Sequence, residues 1–174
     1  MESESTKEHK SKAPTTVGFG ILVISTSVSK GEKDDRSGRL IADSIENGGH
    51  KVISTITVPD NFKMIQESID SLSRDPNIQS IVSTGGTGLT ETDITFEAAQ
   101  EIITKPIPGF HSLFMTVSYE DVGPACMLSR ATAGVIENRC VLFCLPGSPK
   151  ACTLAMEKLI LPEVAHITKH FRES

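Results

Sequence analysis

The sequence predicts a three-layer α/β/α fold: a doubly wound, mostly parallel sheet with helices on both faces. Three observations predict it. Short β-type runs alternate with amphipathic helical runs of similar length, the order that builds parallel crossovers. The β-type runs at 17–24 and 141–145 are almost continuously apolar, as strands buried on both faces are. With no Trp and one Tyr, the core has to be filled by Ile, Val, Leu and Ala. An apolar content of 38% suffices for one core, and 174 residues fit one domain with a flexible end rather than two domains.

Residues 1–15 are polar and charged, cannot bury apolar surface, and read as a disordered N-terminal tail, which leaves 16–174 as a single domain. Residues 17–24 form the first strand and 25–36 a long polar connection. A helix follows over 37–47, with Ile41 and Ile45 on one side and Gly48-Gly49 as its stop. Residues 50–58 read as the second strand, closed by Pro59-Asp60-Asn61. Phe62, Ile65, Ile69 and Leu72 then recur at helical spacing up to Asp75-Pro76. The third strand, 78–82, runs into Ser83-Thr84-Gly85-Gly86-Thr87-Gly88-Leu89-Thr90-Glu91-Thr92-Asp93, and a helix over 96–104 stops at Lys105-Pro106. Residues 107–123 read as partly helical and 129–136 as a short helix. A strand over 141–145 ends in Pro146-Gly147. Ser148 is placed to N-cap the last helix, with Pro149 in its first turn and Pro162 positioned to kink it.

Composition narrows the functions. A net charge of −5 argues against nonspecific nucleic-acid binding, which wants a basic face. No stretch approaches the ~20 apolar residues of a membrane span. The first sixteen residues lack a signal-peptide core, so a reducing, cytoplasmic setting is expected. Cys126, Cys140, Cys144 and Cys152 form no Cys-x-x-Cys and read as buried free thiols, with Cys140 and Cys144 on one face of a strand.

In such sheets ligands lie beyond the carboxyl ends of the strands. Four loops are predicted there: 25–36, 59–61, 85–93 and 146–150. The glycine loop matches neither the Gly-x4-Gly-Lys-Ser/Thr phosphate loop nor the dinucleotide fingerprint, since Glu91 stands where the third glycine would be. A strand that ends in small residues and re-enters as a helix still offers backbone N–H groups to an anion. Asp93 is a candidate for metal or phosphate work, because Thr95 is better placed to cap the helix. For Asp60, N-capping and catalysis explain the position equally well. Lys150 opposes the dipole of the helix it begins, a conflict that an anionic ligand would resolve and that a solvated lysine also explains. Arg130 reads as a structural ion-pair residue. The mixed run Lys30, Glu32, Lys33, Asp34, Asp35, Arg36 reads as a solvated loop. His166 and His170 share a helix face but lack a third ligand nearby, so they read as surface residues.

Taken together, these loops resemble the MoaB/MogA family of molybdenum-cofactor biosynthesis proteins. The resemblance rests on Ser83 through Asp93, on Leu128-Ser129-Arg130-Ala131 with Ala133-Gly134, on Leu145-Pro146-Gly147-Ser148-Pro149-Lys150-Ala151, and on Gly31-Glu32-Lys33-Asp34-Asp35-Arg36-Ser37-Gly38. It implies binding of molybdopterin and its adenylylation by Mg-ATP, with release of pyrophosphate. It implies Asp60 and Asp93 as catalytic residues that hold Mg2+. Thr84, Gly85, Gly86, Thr87, Gly88, Pro146, Gly147, Ser148 and Lys150 are then substrate-binding residues. With the resemblance in hand, the intact Pro59-Asp60 points Asp60 towards function. The resemblance also implies a homo-oligomer, a hexamer favoured by residues 31–38 and a trimer as the alternative. Thr95-Phe96-Glu97 departs from the family's frequent Thr-Pro-Glu. Two other readings stay open: a noncatalytic molybdopterin-binding scaffold, and a nucleotide hydrolase of the competence/damage type on a related fold.

Overall fold

Strand β1 (Gly18–Ile24) is buried along its whole length and lies inside the sheet, paired in parallel with β2 (Lys51–Val58) on one side and β3 (Ser80–Thr84) on the other. In the computed structural model, which describes residues 16–137 and 139–172, the sheet order is β2-β1-β3-β6-β5-β4. The tail expected at 1–15 lies outside the described residues. Strand β6 (Cys140–Leu145) is parallel to β3. β5 (Thr132–Ile136) and the two-residue β4 (Lys105–Pro106) complete the sheet as antiparallel neighbours.

Alternation along the central strands divides the core into two layers. Phe19, Ile21, Val23, Val82, Val141, Phe143 and Leu145 face one layer. Leu22, Ile24, Ile81, Cys140, Leu142 and Cys144 face the other. The first layer is covered by α2 (Arg36–Asn47), α5 (Pro108–Val122), α6 (Pro149–Ala155) and α7 (Leu161–Arg172). The second is covered by α3 (Phe62–Arg74) and α4 (Thr95–Ile102). The chain therefore leaves β1 towards one face and β3 towards the other. The seam between those two strands is a topological switch point, where a crevice opens at the carboxyl ends. This is the predicted α/β/α arrangement.

Three local expectations change. Residues 129–136, expected as a short helix, contain strand β5. Ala131, Ala133 and Val135 enter one layer and Ile136 the other, which is a period of two. The open edge of β6 captures the segment, and Gly134 lets it lie against Ile103: an added Cβ would stand 2.2 Å from that side chain. Residues 107–123 hold a full fifteen-residue helix, α5, begun by Pro108 and followed by a 3-10 segment, Gly123–Leu128. The polar connection at 25–36 contains a single turn, α1 (Thr26–Ser29), capped by Ser25.

The stop at Gly48 is as expected, but α2 starts on Asp35, whose Oδ1 accepts the Gly38 N–H at 2.7 Å. Ser148 occupies the N-cap position of α6 without a side-chain capping bond. The expected kink at Pro162 is taken up by a π turn, Met156–Ile160. The extra residue in that turn makes room for the proline ring, which would otherwise clash with the carbonyl four residues back. His166 and His170 face each other with their Nε2 atoms 2.9 Å apart. Among the described residues no helix is long and apolar enough to cross a membrane.

All four cysteines are free; Cys140, Cys144 and Cys152 are buried and Cys126 is half-buried. Burial pushes the Cys140 and Cys144 thiols up to about 12 and Cys152 to about 11. A thiol-disulfide reagent applied to the native protein at pH 7.5 should therefore read Cys126 alone, the other three appearing only on unfolding. Fast labelling of more than one thiol would contradict this packing.

His50 anchors the start of β1. Its Nδ1 accepts the Val17 N–H at 3.2 Å, so that nitrogen must be unprotonated, and burial lowers the ring's pKa. A depressed histidine stabilises the fold fully above its unfolded pKa, about 6.5, and loses that contribution as pH falls through the folded value. The thermal midpoint should fall between pH 7 and pH 5. The fall should be smaller in His50→Asn, which keeps an acceptor and cannot titrate. Equal falls in both proteins would remove His50 as the cause.

Candidate functional site

The loops that follow β1, β2, β3 and β6 meet at the carboxyl edge of the parallel strands. Three of them enclose a cavity of about 770 Å3. Its floor is Val23 and Ile24; its walls are Ser25, Val28 and residues 31–37 on one side, and Thr84, Gly85, Gly147 and Pro149 on the other. The glycine loop is seated by hydrogen bonds that only a glycine permits at its first position. The Gly85 N–H donates to the Leu145 carbonyl at 3.0 Å, with φ at +104°. A Cβ there would stand 2.1 Å from the Ile24 carbonyl oxygen. The Thr95 hydroxyl donates to the Gly85 carbonyl at 2.8 Å and its N–H to the Gly86 carbonyl at 2.9 Å. Thr95 thus fastens α4 to the loop instead of capping the helix, and the N-cap position falls to Ile94.

Asp60 does not cap α3; Asn61 does, accepting the Met64 N–H at 3.0 Å. The Asp60 carboxylate turns back to α1. Its Oδ2 accepts the Thr26 N–H at 2.9 Å and the Thr26 hydroxyl at 2.7 Å. Asp93 repeats the pattern: Oδ2 accepts the Thr90 N–H at 2.9 Å and the Thr90 hydroxyl at 2.6 Å. Both carboxylates are half-buried. Burial pushes the Asp93 carboxyl up, but the bonds from Thr90, the Gly88 N–H and the Arg130 charge outweigh it and hold the group below the usual carboxylate range. Asp93 therefore stays ionised across the neutral range. It also has structural employment in the Thr90 turn, which sequence reasoning did not assign.

Arg130 forms the ion pair expected of it, with Glu97, and does more. Its Nε donates to the Gly88 carbonyl at 2.8 Å and its Nη2 to the Asp93 carbonyl at 2.6 Å. Its guanidinium lies 5.3 Å from the centroid of Phe96, the residue that departs from the frequent proline.

The 146–150 segment closes the cavity from the β6 side. The Pro146 carbonyl accepts the Thr84 hydroxyl at 2.9 Å, and the Gly147 carbonyl accepts the Ser37 hydroxyl at 2.8 Å. Ser148 and Lys150 are exposed. Lys150 pairs with Asp121 of α5 at 2.6 Å, so a carboxylate of this chain already answers the charge conflict at the start of α6.

Of the residues singled out from the sequence, Thr84, Gly85 and Gly147 line the cavity. Asp60 reaches it through Thr26, the neighbour of Ser25. Gly86, Thr87, Gly88, Asp93, Pro146, Ser148 and Lys150 are not part of the cavity lining, and Thr87 is buried. The Gly85 N–H is spent on β6, and the Gly88 N–H faces Asp93. Those of Gly86 and Thr87 make no hydrogen bond among the described residues. The charge run is largely exposed, as a solvated loop is, and it also forms one rim of the cavity: Glu32, Lys33, Asp34, Asp35 and Arg36 all line it. The legible signal was Asp35 followed at three residues by Gly38, a capped helix start that sets the end of the run against the strand edge. Thr26 and Ser37 were missed because a lone hydroxyl in a polar loop carries no pattern.

A switch-point crevice with a glycine turn and two threonine-held aspartates at the carboxyl edge defines an α/β protein with a small-molecule site at the ends of its parallel strands. Residues 20–166 match the family described as "Probable molybdopterin binding domain". The molybdenum cofactor biosynthesis protein B of Bacillus cereus is 42% identical over 165 residues, covering 94% of this chain and 96% of that protein. The molybdopterin adenylyltransferase of Pyrococcus furiosus is 39% identical over 170 residues, covering 96% and 98%. A crystal structure of a molybdenum cofactor biosynthesis protein B superposes with a TM-score of 0.87 at 39% identity, covering 94% of this chain and all of that one. The chain belongs to the molybdopterin-binding domain family of molybdenum cofactor biosynthesis proteins.

Proposed function

We propose that this chain is a molybdopterin adenylyltransferase, with residues 16–174 acting as one catalytic domain in the cytoplasm. A phosphate oxygen of molybdopterin attacks the α-phosphorus of ATP. The new O–P bond forms as the bond to the β-phosphate breaks, and pyrophosphate leaves. The observation that carries the reading is the matched pair Asp60 and Asp93. Each is held through one oxygen by the N–H and hydroxyl of a threonine, in loops at the same edge of the sheet. Relatives named molybdopterin adenylyltransferase support it.

The donor chemistry fits Mg2+. The groups offered are carboxylate oxygens. Among the described residues no cluster of three or more His, Cys, Asp or Glu forms a closed cage. A hard cation that keeps its waters and shares substrate phosphates needs no more than two carboxylates. Asp60 and Asp93 would hold it, and bound there it would neutralise charge on the triphosphate. The chain's own part is positioning. The Gly86 and Thr87 N–H groups, with Thr84, Gly85 and Gly88, cradle the pterin phosphate. Pro146, Gly147, Ser148 and Lys150 bound the pterin side.

Pyrophosphate release from ATP, measured with molybdopterin and Mg2+ present and again after chelation, tests this reading. Release that requires both pterin and cation is expected. Pterin binding without release would make the chain a noncatalytic scaffold, and ATP turnover without pterin a hydrolase. The apolar residues left exposed on α5 and the 3-10 segment, Leu113 at 57%, Tyr119 at 59% and Met127 at 73%, support a homo-oligomer. Sedimentation should give a hexamer; a trimer is the alternative, and a monomer would contradict it.

A further inference from the structure

We infer that Arg130 is the positioning residue that sets the Asp93 carboxylate for the divalent cation; the inference rests on the adenylyltransferase reading. A guanidinium presents donors in a rigid fork, and here every arm is used on the same loop or its helix. Nε holds the Gly88 carbonyl at 2.8 Å and Nη2 holds the Asp93 carbonyl at 2.6 Å. These two residues bound the exposed tip, 89–92. One side chain therefore fixes the distance between the ends of the turn that carries the carboxylate. Nη1 takes Glu97 in the first turn of α4, and Phe96 supports the guanidinium plane from 5.3 Å. The Arg130 N–H bonds the Thr87 carbonyl at 2.9 Å, so its backbone is fixed to the same loop.

The Asp93 carboxylate fills the space beside Gly88: an added Cβ there would stand 2.7 Å from its Oδ2. Movement of the Gly88 end is therefore felt directly by the carboxylate. Lysine keeps the charge at 130 but offers a point donor that cannot span both carbonyls. Its effect separates geometry from charge.

The test is Mn2+ binding to the protein–ATP complex, read by water proton relaxation, beside the Mg2+ dependence of pyrophosphate release. Arg130→Lys should weaken Mn2+ binding by about tenfold or more, the usual effect of losing a group that orients a metal ligand. Its activity should fall at limiting Mg2+ and recover as Mg2+ is raised. Glu97→Gln, which keeps an acceptor for Nη1 but removes the opposite charge and disturbs folding less, should move Mn2+ binding in the same direction by less. Unchanged Mn2+ binding in Arg130→Lys overturns the inference, as does an equal loss of activity at every Mg2+ concentration. Wild-type protein that releases no pyrophosphate at all sinks the adenylyltransferase reading itself and the inference with it.

Discussion

Asp93→Ala is expected to lower adenylyl transfer by ~10² or more, the scale of losing one preorganised charge contact in a transition state. Asp60→Asn should do the same. Molybdopterin binding should change little in either, because the two carboxylates lie on the nucleotide and cation side of the proposed reaction. Asp93→Ala also leaves a threonine without its acceptor, whereas Asn at 60 keeps an oxygen for Thr26. For Asp93 the Thr90 N–H and hydroxyl are both released, and the turn at 90–93 loosens. The two effects separate experimentally. Asn at 93 keeps an oxygen for Thr90 and loses the charge, so Asp93→Asn should hold the thermal midpoint near wild type and still lose activity. Steady-state pyrophosphate release with a parallel pterin-binding titration makes the measurement. Wild-type-like turnover in the Asp60 and Asp93 variants would refute the assignment of both residues.

The second large effect is structural. Gly85→Ala should destabilise the fold by about 3 kcal/mol or more, from a left-handed backbone without glycine and a side chain forced into a packed wall. The wall is backbone: the Ile24 carbonyl oxygen stands 2.1 Å from the position of the new Cβ. Ile24 ends β1 and Gly85 follows β3, so any relief must part the two strands at the switch point. Gly31→Ala is the control. It also has positive φ, at +72°, but nothing lies within 4 Å of its Cβ position. It should cost only about 1 kcal/mol of backbone strain. Urea denaturation of the two variants checks the difference. Equal, small losses would mean the glycine loop is not seated as described.

The sequence made the parallel strands and their carboxyl-end loops legible because β1 and β6 are apolar on both sides, β3 sends Ile81 and Val82 to opposite layers, and each ends in small or turn-forming residues. β5 was not legible. Thr132, Ala133 and Gly134 are small, and a strand of five residues gives too few alternations to outweigh a helical reading. α5 hid for the opposite reason: apolar side chains surround it, Phe110 and Phe114 buried and Leu113 and Tyr119 exposed, so no single face stands out.

At the site, Asp60 and Asp93 could be named from resemblance, but their partners could not. Thr26 and Asp60 lie 34 residues apart, and Arg130 and Gly88 42 apart. Such pairings exist only once the strands are in register. The same holds for Lys150, whose helix-start conflict was legible and whose partner, Asp121, was not.

In the proposed reaction two aspartates from different loops serve one cation together with the triphosphate. Crystals soaked with Mn2+ and ATP, recorded at a wavelength where manganese scatters anomalously, put that to the question. An anomalous peak within coordination distance of carboxyl oxygens from both Asp60 and Asp93, joined to the triphosphate, is the predicted result. A manganese–nucleotide complex bound away from either carboxylate, whether in the cavity beside residues 31–37 or elsewhere, would contradict it.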